Sequence, residues 1–329
     1  MFEIHCFDVI MIEKLTEASM REIVFLKPVF KEMIWGGNRL KTDFLYDIPS
    51  DKTGECWAVS AHKNGDCQIA SGSYAGSTLS QLWESHREVF GNVTGDVFPL
   101  LIKIIDAKAD LSIQVHPDDE YAKANENGSL GKTECWYILD CDEDATIVIG
   151  HHAKSKQELA KMIQENEWDN LIRILPIKKG DFFQIEPGTV HAIKAGTLIL
   201  ETQQNSDITY RLYDYGRLQD GKPRELHIEK SIDVIGCPHK DITAAQNKIK
   251  LDSATVEQLV ECGYYTVKLI DVVEKQIFTQ DKPFMIMSVI EGEGMIDGTK
   301  ITKGDHFILP YGYGEFELSG NMRLVCSHI

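Results

Sequence analysis

The sequence lacks a long apolar run and a recognisable export signal. A membrane-spanning helix needs about 18 consecutive apolar residues, and the strongest run, 98–102, is interrupted at once by Lys103. The first residues carry no basic segment, and their apolar stretch contains Asp8 and Glu13, unlike a secretory signal. We therefore expect no membrane partner and a cytoplasmic location.

Paired cysteines and an excess of positive charge are also missing. The eight cysteines include no Cys-x-x-Cys pair, so we expect reduced thiols rather than a disulfide framework. Lys and Arg number 34 against 51 Asp and Glu, for a net charge of −17. A general nucleic-acid binder needs a basic surface, so no nucleic-acid partner is expected. An anionic ligand would need cations concentrated in one pocket.

What the sequence does contain is many short apolar runs broken by Gly, Pro, Asn and Asp. From residue 23 to about 235 this pattern predicts β-strands, interrupted by helices that open at the capping residues Thr78 and Ser155. Residues 236–262 read as a more polar connection, and strands resume from Tyr264. Such a series of short strands is typical of a β-sandwich or barrel.

A weak internal repeat supports a jelly-roll arrangement. Residues 179–188 resemble residues 303–312 at an offset of 124, each with a Lys-Gly-Asp turn, an apolar strand and a second glycine turn. Chance similarity between common Gly-Asp turns remains the alternative. If the repeat is real, His191 corresponds to Glu315, and a site built around His191 is not kept in the second copy.

Four side chains, distant in sequence, suggest a metal site. Gln114 and His116 project from the same face of a predicted strand, because side chains alternate along a strand. Glu134 enters a strongly apolar strand and needs a partner, with Lys132 two residues before it. His191 follows a Pro-Gly turn. Together these donors suit Zn²⁺, Mn²⁺ or Fe²⁺, although each alone also fits an ordinary core histidine or edge glutamate.

Two further charged residues interrupt apolar or aromatic segments. Glu201 lies within the apolar run 198–202, and Arg211 lies among the aromatic residues of 210–215. The planar guanidinium of arginine suits a phosphate or a developing oxyanion. The alternative is an aromatic strand packed along the arginine side chain.

The ordered motifs Trp35-Gly-Gly, Gly54-Glu-Cys-Trp57, Lys132-Thr-Glu134, Pro187-Gly-Thr-Val-His191-Ala and Tyr210-Arg211, with residues 111–118, resemble class I mannose-6-phosphate isomerases in their shorter bacterial form. The resemblance runs from residue 23 to the end of the chain. It implies a mainly β fold of two cupin-type jelly-roll barrels with a small helical insertion. We expect residues 1–19 to be an N-terminal extension, 20–240 a catalytic cupin domain with helical segments, and 241–329 a cupin-like domain without a metal site.

The resemblance also implies a reaction and a set of site residues. The reaction is the interconversion of mannose 6-phosphate and fructose 6-phosphate by proton transfer through an enediolate. One Zn²⁺ per chain would be held by Gln114, His116, Glu134 and His191. The other implied site residues are the catalytic Arg211 and the pocket residues Trp35, Lys103, Ser112, Lys132 and Glu201.

Within this scheme we favour Glu201 as the base that moves the proton, with Lys132 as the competing choice. Arg211 would stabilise the enediolate oxygen, and Lys103 and Ser112 would hold the phosphate. The alternatives are an Fe²⁺ dioxygenase of the cupin type and a sugar-phosphate-binding cupin without turnover. Either a monomer or a homodimer is compatible with the sequence.

Overall fold

A computed structural model describes residues 22–242 and 247–329, so the expected extension 1–19 lies outside the described residues. The chain forms two compact units, both discontinuous in sequence. Unit I comprises residues 29–57 and 99–242, and unit II comprises residues 22–28, 58–98 and 247–329. The mainly β fold predicted from the sequence is confirmed.

Short strands dominate the described chain. In chain order they are β1 (Val24–Lys27), β2 (Val29–Gly37), β3 (Thr53–Val59), β4 (Ala61–His62), β5 (Gly65–Asp66), β6 (Gln68–Ile69), β7 (Leu100–Ala107), β8 (Ile113–Val115), β9 (Glu134–Cys141), β10 (Thr146–His151), β11 (Ile172–Pro176), β12 (Phe182–Ile185), β13 (His191–Ile193), β14 (Thr197–Gln204), β15 (Tyr210–Tyr213), β16 (Leu218–Gln219), β17 (Lys222–Pro223), β18 (Asn247–Lys250), β19 (Ala254–Glu261), β20 (Thr266–Val272), β21 (Lys275–Gln280), β22 (Met285–Ile296), β23 (Thr299–Thr302), β24 (His306–Leu309) and β25 (Gly314–His328).

Two helices begin at the capping side chains that the sequence predicts, and all six described helices are short. They are α1 (Arg39–Thr42), α2 (Leu79–Ser85), α3 (Asp119–Asn125), α4 (Lys156–Gln164), α5 (Trp168–Leu171) and α6 (Ile228–Val234), with one 3₁₀ turn at Arg87–Phe90. Thr78 accepts a hydrogen bond from the Gln81 amide, and Ser155 accepts one from the Glu158 amide. These bonds satisfy amide groups that a helix start leaves unpaired. No described helix has the length and apolar character that crossing a membrane requires.

Unit I is built from antiparallel sheets. Among its described residues, one sheet has the order β12-β9-β14-β7-β2-β3 and another the order β11-β10-β13-β8-β15. Strands β7 and β14 are buried along their whole length, which explains the apolar runs 100–102 and 198–200 within them. Trp136, Ile138, Ile147 and Ile199 belong to one core cluster of this unit.

A second core cluster in unit I joins the sheet containing β8 and β15 to the helices. Ile113 and Val115 of β8 pack with Leu159 of α4 and with Tyr210 and Leu212 of β15. Because side chains alternate along β8, Gln114 points to the opposite face. The helical segments therefore cover one face of this sheet and leave Gln114 on the other.

Unit II contains a large antiparallel sheet in the order β18-β19-β20-β25-β22-β24-β1-β6, with β21 paired to β25 and β23 to β22. Its core includes the fully buried Met287, Val289, Phe307 and Leu324. The prediction of a polar connection over 236–262 is wrong in its second half, where β18 and β19 form. Every residue of β18 is exposed, so its sequence is as polar as that of a loop.

The internal repeat coincides with equivalent strands. Phe182–Ile185 in unit I and His306–Leu309 in unit II are both strands, and their bounds differ by the offset of 124 found in the sequence. The preceding turns contain Gly180 and Gly304 with φ of +89° and +96°, a conformation that favours glycine. The repeated Lys-Gly-Asp pattern thus marks the same local structure in both units.

Candidate active site

The predicted site residues of unit I lie on neighbouring strands. Gln114 of β8 is directly opposite His191 of β13 and also opposite Arg211 of β15. In the other sheet, Glu201 of β14 is directly opposite Lys103 of β7. Directly opposed residues of an antiparallel pair share one face of the sheet, so register brings together residues that are distant in sequence.

His116, Glu134 and His191 form a buried group that can hold a metal ion. The two imidazole Nε2 atoms are 3.1 Å apart. The Glu134 carboxylate places Oε2 3.4 Å from His116 Nε2 and Oε1 3.4 Å from His191 Nε2. Two zinc ligands at their usual bond lengths in a tetrahedral site are about 3.3 Å apart. The three donors therefore already have the spacing of ligands around one cation.

Backbone hydrogen bonds fix the orientation of both imidazoles. His116 Nδ1 lies 2.7 Å from the Ile208 carbonyl oxygen, and His191 Nδ1 lies 2.8 Å from the Thr189 carbonyl oxygen. Since a carbonyl only accepts, each Nδ1 carries the proton and each Nε2 of a neutral ring presents a lone pair. Burial, followed by the charge of Lys132, lowers the pKa of His116 to about 3, and burial also lowers the pKa of His191.

Two neutral imidazoles with facing lone pairs repel each other unless a cation lies between them. The donor set of two nitrogens and one carboxylate is one that Zn²⁺ accepts, so the residues fit a metal ion. The Gln114 amide is 3.3 Å from His191 Nε2. Its nitrogen and oxygen exchange places by a flip of the amide, and the flipped form presents an oxygen ligand.

Lys132 lies against the metal-ligand group. Its ammonium is 2.5 Å from Glu134 Oε2 and 3.3 Å from His116 Nε2. Burial alone would raise the pKa of Glu134, but the adjacent charge of Lys132 opposes burial and the pKa lies well below its usual range. Glu134 is therefore an ionised carboxylate, the form that binds a metal.

Glu201 belongs to a second charged group beside the first. Its carboxylate receives a hydrogen bond from Trp136 Nε1 at 3.2 Å and lies 3.4 Å from Lys103 and 3.8 Å from Lys132. Burial and the negative charge of Glu134 raise the pKa of Glu201 to about 6 against the opposing effect of the two lysines. A carboxyl with that pKa exchanges protons near neutral pH.

Glu55 and Trp57 complete this group, and the sequence analysis assigned them no role. Glu55 accepts a hydrogen bond from Trp57 Nε1 at 2.6 Å and lies 3.9 Å from Lys103, which is 5.1 Å from the centre of the Trp57 ring. Burial would lower the pKa of Lys103, but Glu55 and Glu201 outweigh it and raise this pKa. The motif Gly54-Glu-Cys-Trp57 was visible, but nothing in it indicated that Lys103 would lie nearby.

Arg211, Trp35 and Ser112 were also predicted as site residues. The Arg211 guanidinium donates to the Glu225 carbonyl at 2.9 Å. Trp35 is buried in the core cluster that contains Trp136, and Ser112 is buried immediately before β8. Within residues 22–242 and 247–329, no hydrogen bond or ion pair joins these three to the metal-ligand group. Their roles stay predictions.

Two family models and several known proteins match this chain. Residues 23–140 match the family described as phosphomannose isomerase type I, catalytic domain, and residues 255–329 match the mannose-6-phosphate isomerase cupin domain. A mannose-6-phosphate isomerase of Bacillus subtilis (strain 168) is 54% identical over 313 residues, which cover 94% of this chain and 99% of the relative. One from Streptococcus mutans is 46% identical over 314 residues, covering 94% and 99%.

A crystal structure of the mannose 6-phosphate isomerase from Bacillus subtilis is similar along almost the whole length. It aligns with a TM-score of 0.92 at 51% identity, covering 93% of this chain and 99% of that one. The resemblance inferred from the motifs and the predicted cupin fold are both confirmed. The chain therefore belongs to the type I mannose-6-phosphate isomerase family and is an aldose–ketose isomerase.

Proposed function

We propose that this protein interconverts mannose 6-phosphate and fructose 6-phosphate and that one Zn²⁺ per chain serves the reaction. His116, Glu134 and His191 would hold the ion, with Gln114 as the fourth ligand after its amide turns its oxygen inward. The observation that carries the proposal is the convergence of two neutral imidazole lone pairs and one ionised carboxylate at distances suited to a single cation. A bound zinc would polarise the sugar carbonyl and stabilise negative charge on its oxygen.

The proton moves between C2 and C1 of the sugar, and Glu201 is our proposed base. Its carboxylate is buried, and its pKa of about 6 leaves it ionised at neutral pH yet able to return the proton. Lys132 is the competing choice. Its ammonium is 2.5 Å from Glu134, and this contact favours a role in balancing the charge of a metal ligand.

Arg211, Lys103, Ser112 and Trp35 are proposed to bind the substrate. Arg211 shares a sheet face with Gln114 and His191, a position from which a guanidinium can stabilise the enediolate oxygen. Lys103 and Ser112 are proposed for the phosphate, and Trp35 for the pocket wall. Because Lys103 already lies near Glu55 and Glu201, a phosphate would compete with two carboxylates for its charge.

The test is a coupled assay with mannose 6-phosphate combined with metal analysis. We expect turnover that chelation abolishes and that Zn²⁺ restores in proportion to the metal bound, up to one ion per chain. Binding of fructose 6-phosphate without turnover by the zinc-loaded protein would instead indicate a sugar-phosphate-binding cupin. Oxygen consumption by an iron-loaded form would indicate the dioxygenase alternative.

The domain assignment forms part of this proposal. We assign catalysis to residues 20–240 and propose that 241–329 is a cupin-like domain without a metal site. All the proposed site residues lie in unit I. Among the described residues, the His116, Glu134 and His191 group alone brings three His, Cys, Asp or Glu ligands within metal-binding distance. A cytoplasmic location and the choice between monomer and homodimer stay predictions from the sequence.

A further inference from the structure

A cavity of about 400 Å³ lies in unit I beside strand β15. Leu212 and Tyr213 line it, whereas Arg211 is opposite Gln114 and shares its face of the sheet. The register of β15 passes from Arg211 opposite Gln114 to Tyr213 opposite Ile113, so that Leu212 is an extra residue. This bulge turns Tyr213 to the helix-covered face of the sheet. The cavity and the metal-ligand group are thus on opposite faces.

The wall of the cavity is largely apolar and aromatic. Trp168 stacks on Tyr213 with ring centres 4.6 Å apart and an interplanar angle of 21°. Ile163 from α4 and Leu226 add aliphatic surface. Small-molecule sites in proteins combine such a lining with a few polar groups, and this volume falls within their usual range of about 300–1,000 Å³.

The charged side chains of the wall are two arginines and one aspartate. Arg217 and Arg224 line the cavity, and both donate to the buried carboxylate of Asp214. One carboxylate between two guanidinium groups leaves one positive charge uncompensated within this trio. Guanidinium groups in pairs suit carboxylate and phosphate.

We propose that this cavity is a second ligand site, distinct from the active site, that takes a flat aromatic molecule bearing a carboxylate or phosphate group. The ring lies against Trp168 and Tyr213, and the anionic group meets Arg217 and Arg224. Burial of the ring supplies affinity, and the arginine pair selects an anion over a neutral molecule of the same shape.

The cavity wall shares its backbone with the anchor of Arg211. Leu212 follows Arg211 directly, and the carbonyl that accepts from the Arg211 guanidinium belongs to Glu225, between the wall residues Arg224 and Leu226. Occupation of the cavity therefore acts on the position of Arg211 and changes turnover. This second statement rests on the proposed role of Arg211, whereas the binding site does not.

Binding is tested with 2-naphthoate as the probe. The control is 2-naphthalenemethanol, an uncharged compound of similar shape. Tryptophan is replaced by 5-fluorotryptophan in the zinc-loaded protein, and Trp168→Phe identifies the ¹⁹F resonance of Trp168. We expect naphthoate to shift this resonance saturably and the neutral compound to bind at least about tenfold more weakly. Saturating mannose 6-phosphate should not displace naphthoate from the cavity. No shift at millimolar naphthoate, equal binding of the neutral compound, or displacement by mannose 6-phosphate would overturn the site.

Substitutions of residues in the cavity wall test where naphthoate binds. Arg224→Met should weaken naphthoate binding at least about tenfold. Arg173→Met is the matched control, because Arg173 lies on β11, pairs with Asp241 and does not line the cavity. Leu226→Trp, at a residue 44% exposed, fills the cavity from its rim and should abolish binding in a folded protein. Unchanged affinity in both Arg224→Met and Leu226→Trp would contradict the assignment.

The effect of cavity occupation on the isomerase reaction is measured in a separate experiment. Saturating naphthoate should change kcat in the unsubstituted enzyme and leave kcat of Leu226→Trp unchanged. Binding with an unaltered kcat would refute the coupling to Arg211 and would leave the ligand site standing. Loss of the basal isomerase reaction in the unsubstituted enzyme would refute the proposed function instead, and the ¹⁹F titration would still report on the cavity.

Discussion

Replacement of Glu201 by Gln tests the proposed base most directly. The two side chains have the same shape, so Trp136 Nε1 can still donate to an oxygen at the position now 3.2 Å away. The substitution removes the negative charge that lies between Lys103 and Lys132. It leaves His116, Glu134 and His191 untouched, because none of their mutual contacts involves Glu201.

The expected loss follows from the role of the group. A positioned general base contributes about 10²–10⁴-fold to a rate, so kcat should fall within that range while bound zinc stays at one ion per chain. The measurement is a coupled assay with mannose 6-phosphate, combined with incorporation of solvent deuterium at the exchanging carbon. The deuterium signal should fall in parallel with kcat, because both report the same proton transfer.

Glu55→Gln is the matched control. Glu55 is the other carboxylate near Lys103, at 3.9 Å, and it has no proposed part in proton transfer. Its loss should reduce kcat by less than about tenfold, a change of less than about 1.4 kcal/mol in the activation barrier. A Glu201→Gln enzyme that retains kcat within a factor of about three would refute the assignment of the base. Lys132 would then take its place as the candidate.

The remaining substitutions and the pH dependence test the metal ligands, the arginine and the charge state of the base. His116→Ala and His191→Ala should each abolish zinc binding and activity, with an unchanged circular dichroism spectrum; isomerisation by the metal-free His191→Ala protein would rule out the zinc mechanism. Arg211→Ala should keep its zinc and lose most of kcat, and a normal kcat would reduce Arg211 to a packing role. Only ionised Glu201 accepts a proton, and a bound cation lowers its pKa from about 6. We therefore expect kcat/KM to fall as the pH drops below 6 and to approach a tenfold loss per pH unit once the pH is below the lowered pKa; a rise in kcat/KM from pH 7 to pH 5 would contradict this.

Local sequence patterns predicted the elements well where one residue type decides the structure. Thr78 and Ser155 begin helices because their hydroxyls accept backbone hydrogen bonds. The Lys-Gly-Asp repeat marked equivalent strands because its glycine adopts a positive φ. Strand β3 gave no such signal. Its seven residues are all buried, but Gly54 and Glu55 interrupt the apolar pattern.

The site residues were identifiable by type, but their contacts were not. The alternation of side chains predicted that Gln114 and His116 lie on the same face of one strand. The structure adds the position of His191, which is 77 residues from Gln114 in sequence and lies opposite it on the neighbouring strand. That pairing depends on sheet register, which no local pattern contains. The same holds for Lys103. In the sequence, Lys103 is visible only as a basic residue directly after an apolar run. The pairing of β7 with β14 is what shows that it lies opposite Glu201.

The charges around the active site indicate how an acidic chain attracts a dianionic sugar phosphate. Glu55, Glu134 and Glu201 contribute three carboxylates, and Lys103 and Lys132 contribute two ammonium groups. These five residues thus carry a net charge of about −1 when all are ionised, and a divalent cation changes it to about +1.

The metal should therefore support substrate binding as well as chemistry. We expect removal of zinc to weaken mannose 6-phosphate binding at least about tenfold, or about 1.4 kcal/mol, as measured by isothermal titration calorimetry. His191→Ala, which cannot hold the ion, should match the metal-free enzyme. Equal affinity with and without metal would show that the phosphate is held by groups outside this cluster, and Arg211 would then be the first residue to test.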